Sequence, residues 1–144
     1  MPSVDVHEIV PRRLYVGAHP RGWVPKRGEE FDLHVLTARE LPKTDLRIAK
    51  DWIYVPLDDK PGLVSTHEAN MIRDAANRVA AAIVSGERVL VTCHMGINRS
   101  ATVAARALMA AGNSAEKSIA LVRAKRPGTL QNPDFVAWLK AEDR

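Results

Sequence analysis

Residues 89–100 read Val89-Leu-Val-Thr-Cys-His-Met-Gly-Ile-Asn-Arg-Ser100 and join two different sequence patterns. The first four residues are apolar or β-branched, which is typical of a buried strand. Residues 101–111 are nearly all helix formers, and Gly112 follows them as a helix terminator. The sequence therefore predicts a strand that ends at Cys93, a short loop, and a helix that opens at Arg99 and Ser100.

The loop that follows the predicted strand has the composition of an anion-binding turn. Backbone N–H groups in a tight turn before a helix can converge on one point, and the helix dipole adds positive potential there. Gly96 permits a backbone conformation that other residues resist, and the guanidinium of Arg99 can bind two phosphate oxygens at once. The same dipoles favour a thiolate at Cys93, which predicts a nucleophile for attack on phosphorus. The alternative for a lone cysteine is a small buried hydrophobic residue.

The pattern Cys-x5-Arg-Ser, with glycine three residues after the cysteine, resembles the signature of the cysteine-dependent protein tyrosine phosphatases. The continuation Arg-Ser-Ala-Thr-Val is most similar to their dual-specificity branch. This resemblance implies that Cys93 is the nucleophile, that Arg99 binds phosphate and that Ser100 stabilises the departing thiolate. It also implies a substrate-binding loop made of His94, Met95, Gly96, Ile97, Asn98 and Arg99.

One position departs from the family pattern. The family usually has histidine immediately before the nucleophile, whereas this chain has Thr92 there and His94 after the cysteine. We expect His94 to point outward from the loop and not to replace the missing histidine. The change leaves open a catalytically impaired phosphate-binding module on the same fold.

A phosphatase of this kind needs a general acid for the leaving oxygen. The resemblance places an aspartate on a loop upstream of the nucleophile, where this chain has Val55-Pro-Leu-Asp-Asp59. Asp59 aligns best with the family position, and Asp58 is the alternative acid. His67 is a further candidate, although its position at a predicted helix start favours a structural or solvated role.

The rest of the chain predicts interleaved strands and helices. Strands are expected at residues 4–10, 14–17, 31–37, 52–55 and 89–92, with Pro56 ending the fourth. Helices are expected from a cap at Thr66 to residue 84, over 99–111, from Ser114 to about residue 126, and from Pro133 onward. The segment from Arg126-Pro to Phe135 also resembles the C-terminal pattern of the family. We therefore expect one α/β domain over residues 1–144, with a central, mostly parallel sheet flanked by helices, similar to dual-specificity phosphatases.

Composition limits the classes of function that are compatible with this chain. The 144 residues include one cysteine, which excludes an internal disulfide framework and suits a cytoplasmic protein. The histidines show no metal-ligand spacing, so neither a metal nor another cofactor is expected. The net charge of +4 favours anionic partners without identifying one.

The predicted substrates are phosphotyrosine and phosphoserine or phosphothreonine in proteins. Residues 94–98 contain no lysine or arginine, which ranks phosphoinositides low because related phosphoinositide phosphatases tend to carry extra basic residues there. The run Gly-Ile-Asn-Arg also resembles the loop of RNA 5′-triphosphatases, so an RNA 5′ end remains the minority alternative. A sulfur or arsenate enzyme with a similar cysteine loop is a third class, and the acidic loop argues against it.

Overall fold

A five-stranded mixed sheet forms the centre of the protein in the computed structural model, which describes residues 5–20, 23–40 and 48–143. The strands are β1 (Val6–Val10), β2 (Leu14–Ala18), β3 (Phe31–Ala38), β4 (Ala49–Leu57) and β5 (Val89–Cys93). Their order across the sheet is β1-β2-β5-β3-β4, and only the β1–β2 pair is antiparallel. The predicted mostly parallel sheet is therefore confirmed.

Four helices pack against the sheet and against one another, as the sequence predicts. They are α1 (Thr66–Val84), α2 (Arg99–Ala110), α3 (Ala115–Lys125) and α4 (Pro133–Glu142). Ser114 caps α3, and Asn132 caps α4 with Pro133 at its start. None of the helices in the described ranges combines the length and apolar character that a membrane crossing requires.

Strand β5 lies at the middle of the sheet, and all five of its residues are buried. It runs parallel to β2 and β3, so that Val89 lies beside both Leu14 and Leu33. The carboxyl ends of these strands meet at one edge of the sheet, and Cys93 lies there beside Ala18. The fold therefore presents the end of its most buried strand to the loop that opens α2.

Three local expectations were wrong. The cap of α1 is Ser65 and not Thr66, since the Ser65 hydroxyl accepts a hydrogen bond from the backbone N–H of Glu68, and the Glu68 carboxylate accepts one from the backbone N–H of Ser65. Strand β4 runs through Pro56, because β4 is an edge strand and Pro56 lies where its register with β3 shifts, a place that tolerates a missing N–H. The helical spacing of apolar residues also predicts that Val84 lies on the apolar face of α1, but it is 79% exposed. Residue 4 of the first predicted strand lies outside the described residues, as does Pro42, where the sequence also predicts a connecting loop.

Candidate active site

The loop between β5 and α2 is held by hydrogen bonds to its carbonyl groups. All five carbonyls of residues 94–98 accept a hydrogen bond from outside the loop. The carbonyls of His94, Ile97 and Asn98 accept from the backbone N–H groups of His19 at 3.2 Å, Leu130 at 2.8 Å and Thr102 at 2.8 Å, respectively. The carbonyls of Met95 and Gly96 accept from Nη2 of Arg126 at 2.9 Å and from its Nε at 2.8 Å. In a trans peptide the N–H points away from the C=O, so outward carbonyls turn the following N–H groups toward the inside of the loop. This is the geometry of an anion-binding nest.

Arg126 is the main side chain that fixes this loop from behind. It is 4% exposed, and its third nitrogen, Nη1, donates to the Asp5 carboxylate at 2.8 Å. That bond lowers the pKa of Asp5, so the guanidinium is paired and held in place. Gly96 leaves room for it: a Cβ there would lie 2.6 Å from Nη2 of Arg126 and 2.5 Å from the carbonyl carbon of Gly17.

Cys93 lies at the base of the loop with its side chain almost fully buried. Its Sγ accepts a hydrogen bond from the backbone N–H of Gly96 at 3.2 Å. The hydroxyl of Ser100, at the start of α2, lies 3.2 Å from the same sulfur. The sulfur therefore faces groups that can donate to an anion, which is the environment that a cysteine nucleophile requires.

Arg99 is oriented by Glu40, a residue that the sequence did not single out. The guanidinium is 6% exposed and forms a two-pronged ion pair, with Nη1 to Oε1 at 2.6 Å and Nη2 to Oε2 at 2.8 Å. Nη1 also donates to the carbonyl of Leu57 at 3.0 Å. Glu40 raises the pKa of Arg99, and the Arg99 hydrogen bond lowers the pKa of Glu40 to about 2. The buried Nε finds no acceptor within the part of the chain that the structure describes, so it remains available to an anion.

Thr92, the strand residue before Cys93, is hydrogen-bonded to β3. Nε2 of His34 and Oγ1 of Thr92 lie 2.8 Å apart, and both residues are fully buried. The hydroxyl of Thr37 donates to the carbonyl of Thr92 at 2.9 Å. Burial lowers the pKa of His34 to about 3, so the imidazole is neutral at physiological pH. The sequence shows that the family's histidine is absent at position 92 but gives no signal for this pair.

The two candidate acids face different partners. Asp59 lies against the loop, where Nδ2 of Asn98 donates to its Oδ2 at 2.8 Å and Nδ2 of Asn132 donates to its Oδ1 at 3.1 Å. Asp58 is paired with Arg39 instead, at 3.2 Å from Nε. The geometry thus brings Asp59, and not Asp58, to the loop between β5 and α2. His67 is exposed in the first turn of α1.

Two loop residues lie at the mouth of the site. His94 is half-buried, and its Nδ1 lies 3.8 Å from Oε2 of Glu40. Met95 is 56% exposed. No cluster of three or more metal-ligating side chains occurs within residues 5–20, 23–40 and 48–143.

Several solved structures share this fold. Human DUSP28 has a TM-score of 0.78 at 24% identity, with 99% of this chain and 95% of that chain covered. OH1 from the Orf virus, a tyrosine phosphatase described as having triple substrate specificity, has a TM-score of 0.73 at 20% identity, with coverages of 99% and 88%. Tk-PTP in its active form has a TM-score of 0.70 at 22% identity, with coverages of 95% and 97%. These likenesses establish a common architecture.

Sequence comparison identifies the family. No curated protein sequence matches the chain at a significant level. The family model described as the catalytic domain of dual specificity phosphatases matches residues 14–144, which is nearly the whole chain. The resemblance first seen in residues 93–100 is therefore confirmed. The chain belongs to the dual specificity phosphatase family, as a phosphatase catalytic domain.

Proposed function

We propose that this chain is a single catalytic domain that hydrolyses phosphate monoesters of proteins, on tyrosine and on serine or threonine, through a phosphocysteine intermediate. The main support for this proposal is the hydrogen bonding of the Arg99 guanidinium. Its guanidinium is buried and fixed by Glu40, yet its Nε has no partner among the described residues. A buried donor without an acceptor is costly unless a ligand supplies one, and a phosphate oxygen would satisfy it.

In the proposed first step, the Cys93 thiolate attacks phosphorus and an S–P bond forms as the P–O bond to the leaving group breaks. The inward N–H groups of the loop and Arg99 stabilise the charge on the non-bridging oxygens. Asp59 gives a proton to the departing oxygen, which leaves as a neutral alcohol or phenol. The position of Asp59 against the loop supports this role.

In the proposed second step, a water molecule attacks the phosphocysteine while the Asp59 carboxylate takes its proton. The S–P bond breaks, inorganic phosphate is released and Cys93 departs as a thiolate. Ser100 supports this step, since its hydroxyl lies 3.2 Å from Sγ and can donate to the developing anion. The reaction needs neither an oxidant nor a cofactor, because the proton given to the leaving group in the first step is recovered from water in the second.

The contacts of Asn98 bear on the RNA alternative. The similarity to RNA 5′-triphosphatases rests on the run Gly-Ile-Asn-Arg, of which Asn98 is the distinctive residue. Its amide is occupied by Asp59 and by the backbone N–H groups of Gln131 and Asn132. Asn98 therefore has a role within the framework of the site, so its presence does not by itself indicate an RNA substrate.

The test combines a substrate panel with the nucleophile variant. Wild-type protein is assayed on phosphotyrosine, phosphoserine and phosphothreonine peptides, phosphoinositides and 5′-triphosphorylated RNA side by side. Turnover of phosphopeptides is expected, with a radiolabelled phosphoenzyme trapped on acid quench. Cys93→Ser should abolish turnover and retain vanadate binding, because the N–H groups and Arg99 remain. Vanadate binding without turnover by the wild type would indicate the impaired phosphate-binding module, and preferential cleavage of the RNA would overturn the protein-substrate assignment.

A further inference from the structure

Two asparagine amides hold the carboxylate of Asp59. Nδ2 of Asn98 donates to Oδ2 at 2.8 Å, and Nδ2 of Asn132 donates to Oδ1 at 3.1 Å. One asparagine belongs to the catalytic loop and the other is the cap of α4. We call this pair of side chains, Asn98 and Asn132, the amide clamp. Its two NH2 groups donate hydrogen bonds to both carboxylate oxygens of the proposed acid, from two different structural elements.

The orientation of the Asn98 amide is fixed by its other end. Its Oδ1 accepts hydrogen bonds from the backbone N–H groups of Gln131 at 2.8 Å and Asn132 at 2.9 Å. An amide oxygen cannot exchange places with the amide nitrogen when two N–H donors face it. The NH2 group is therefore directed at Asp59, and the catalytic loop, the acid and the start of α4 are connected through one side chain.

The segment that carries the acid is also attached directly to α4. Nδ2 of Asn132 donates to the carbonyl of Lys60 at 3.0 Å in addition to Asp59. The backbone N–H of Gly62 donates to Oδ2 of Asp134 at 2.8 Å. These contacts fix the backbone on the C-terminal side of Asp59, so the acid is held beside the loop by the framework and not by a substrate.

We propose that Asn98 and Asn132 are positioning residues for the acid, and that the amide clamp sets the range of leaving groups the enzyme accepts. This inference rests on the proposed function. A general acid contributes only when it lies within hydrogen-bond reach of the leaving oxygen, and a small displacement of the acid lowers the rate strongly. Alkyl leaving groups, as in phosphoserine and phosphothreonine, need that proton most, whereas nitrophenolate departs nearly without it. The clamp is therefore expected to allow cleavage of alkyl phosphates in addition to aryl phosphates.

The experiment measures kcat/KM over a series of phosphate monoesters, from nitrophenyl through phenyl to alkyl. Asn132→Ser is the first variant, because serine keeps the helix cap while it removes both amide donors. Asn98→Ala is the second. Asn113→Ala is the matched control, since it removes an amide hydrogen bond of similar length, to the carbonyl of Leu108 at 2.9 Å, at the far end of α2. Each site variant is also combined with Asp59→Asn.

The clamp predicts a selective loss. Asn132→Ser should lower kcat/KM for alkyl phosphates by about tenfold to a hundredfold, and for nitrophenyl phosphate by less than about threefold. Asn98→Ala should show the same preference within a larger overall loss, because Asn98 also belongs to the substrate-binding loop and accepts from the N–H groups of Gln131 and Asn132. Asn132→Ser should not lower kcat/KM further in the Asp59→Asn background, because the acid it positions is then absent. Asn113→Ala should keep the wild-type dependence on the leaving group.

Other results would distinguish a failure of the positioning role from a failure of the proposed mechanism. For Asn132→Ser, equal losses on all substrates, or full additivity with Asp59→Asn, would overturn the positioning role. A steeper dependence of kcat/KM on the leaving group in Asp59→Asn, but not in Asn132→Ser, would refute the positioning role of the amide clamp and support Asp59 as the acid. If Asp59→Asn itself has no effect although Cys93→Ser is inactive, the acid assignment and the clamp fail together, and the phosphocysteine step survives.

Discussion

Nε2 of His34 lies 2.8 Å from Oγ1 of Thr92, within a fully buried pair that joins β3 to the residue before Cys93. The family usually has histidine at position 92, and this chain instead has a threonine whose hydroxyl meets an imidazole from the neighbouring strand. Because the two residues are 58 positions apart, only the fold brings them together. The pair gives β5 a polar attachment just below the catalytic loop.

The burial of His34 predicts a stability loss in mild acid. The unfolded chain binds a proton at His34 near pH 6.5, whereas the folded protein keeps the ring neutral until pH falls to about 3, because burial lowers its pKa. Above pH 6.5 the titration of His34 therefore does not reduce the free energy of unfolding. Below pH 6.5 this free energy falls, by up to about 1.4 kcal/mol per pH unit from His34. Urea unfolding at pH 7.5, 6 and 5 should show this slope in the wild type and a reduced slope in His34→Gln. Identical slopes would contradict the prediction.

Glu40→Gln should weaken the anion site without removing it. The amide cannot provide the two charged acceptors that orient Arg99, so we expect vanadate affinity and kcat/KM to fall by roughly tenfold or more. Glu142→Gln is the matched control, because Glu142 accepts a similar two-pronged bond from Arg73, at 2.7 and 2.8 Å, away from the loop. It should change unfolding free energy and leave vanadate affinity unchanged. Equal effects of the two variants on vanadate binding would refute an orienting role for Glu40.

Gly96→Ala should inactivate the protein through the shape of its loop. Gly96 has a φ of +69°, and an added Cβ would lie 2.5 Å from the carbonyl carbon of Gly17. Gly112→Ala tests the conformational part alone, since Gly112 also has a positive φ, of +112°, but has open space around it. Both variants should lose about 1–2 kcal/mol of stability from the left-handed conformation. Only Gly96→Ala should lose vanadate binding, which isothermal titration measures.

Asp59→Asn should slow hydrolysis of phosphotyrosine or phosphoserine by roughly a hundredfold, the usual scale for a positioned general acid. The loss should shrink for activated aryl phosphates, and the basic limb of the pH–rate profile should disappear. Asp58→Asn is the neighbouring control, because Asp58 is paired with Arg39. If Asp58→Asn gives the selective loss and Asp59→Asn does not, the two roles are reversed. If neither does, His67 is the next residue to substitute.

Hydrolysis should persist in excess EDTA, and vanadate should inhibit as a mimic of five-coordinate phosphorus. The proposed mechanism uses a thiolate, an arginine and an aspartate, and each step is complete without a Lewis acid. Initial rates with and without chelator measure this directly. Loss of activity on chelation that a divalent ion restores would indicate a different chemistry.

The architecture around Cys93 could be predicted because its signals are local. The β-branched run, Gly96 and the Arg99-Ser100 pair lie within twelve residues, and together they predict a strand, a turn and a helix. The cap of α1 shows the limit of such signals. Ser65 and Thr66 are both good capping residues, and only the position of Glu68, three residues after Ser65, distinguishes them.

The partners of the site residues could not be predicted because they are distant in sequence. Glu40 is 59 positions from Arg99, and Asp5 is 121 positions from Arg126. Composition gives no signal for these pairs, since a lone Glu40 on a loop resembles any solvated carboxylate. Arg126 could be noticed as part of a family pattern, but its contact with the carbonyls of residues 95 and 96 requires the folded arrangement.

The central position of β5 has a consequence for how this protein is made. Strands β1 and β2 pair with each other, as do β3 and β4, but β2 and β3 are joined only through β5. A ribosome delivers the chain from its N-terminus, so the first 88 residues can form two separate strand pairs and no continuous sheet. Strand β5, Val89–Cys93, joins the two strand pairs into one sheet, and its last residue is the proposed nucleophile. A nascent chain that stops before this strand has neither a complete sheet nor Cys93, so translation delivers the missing strand and the proposed nucleophile together.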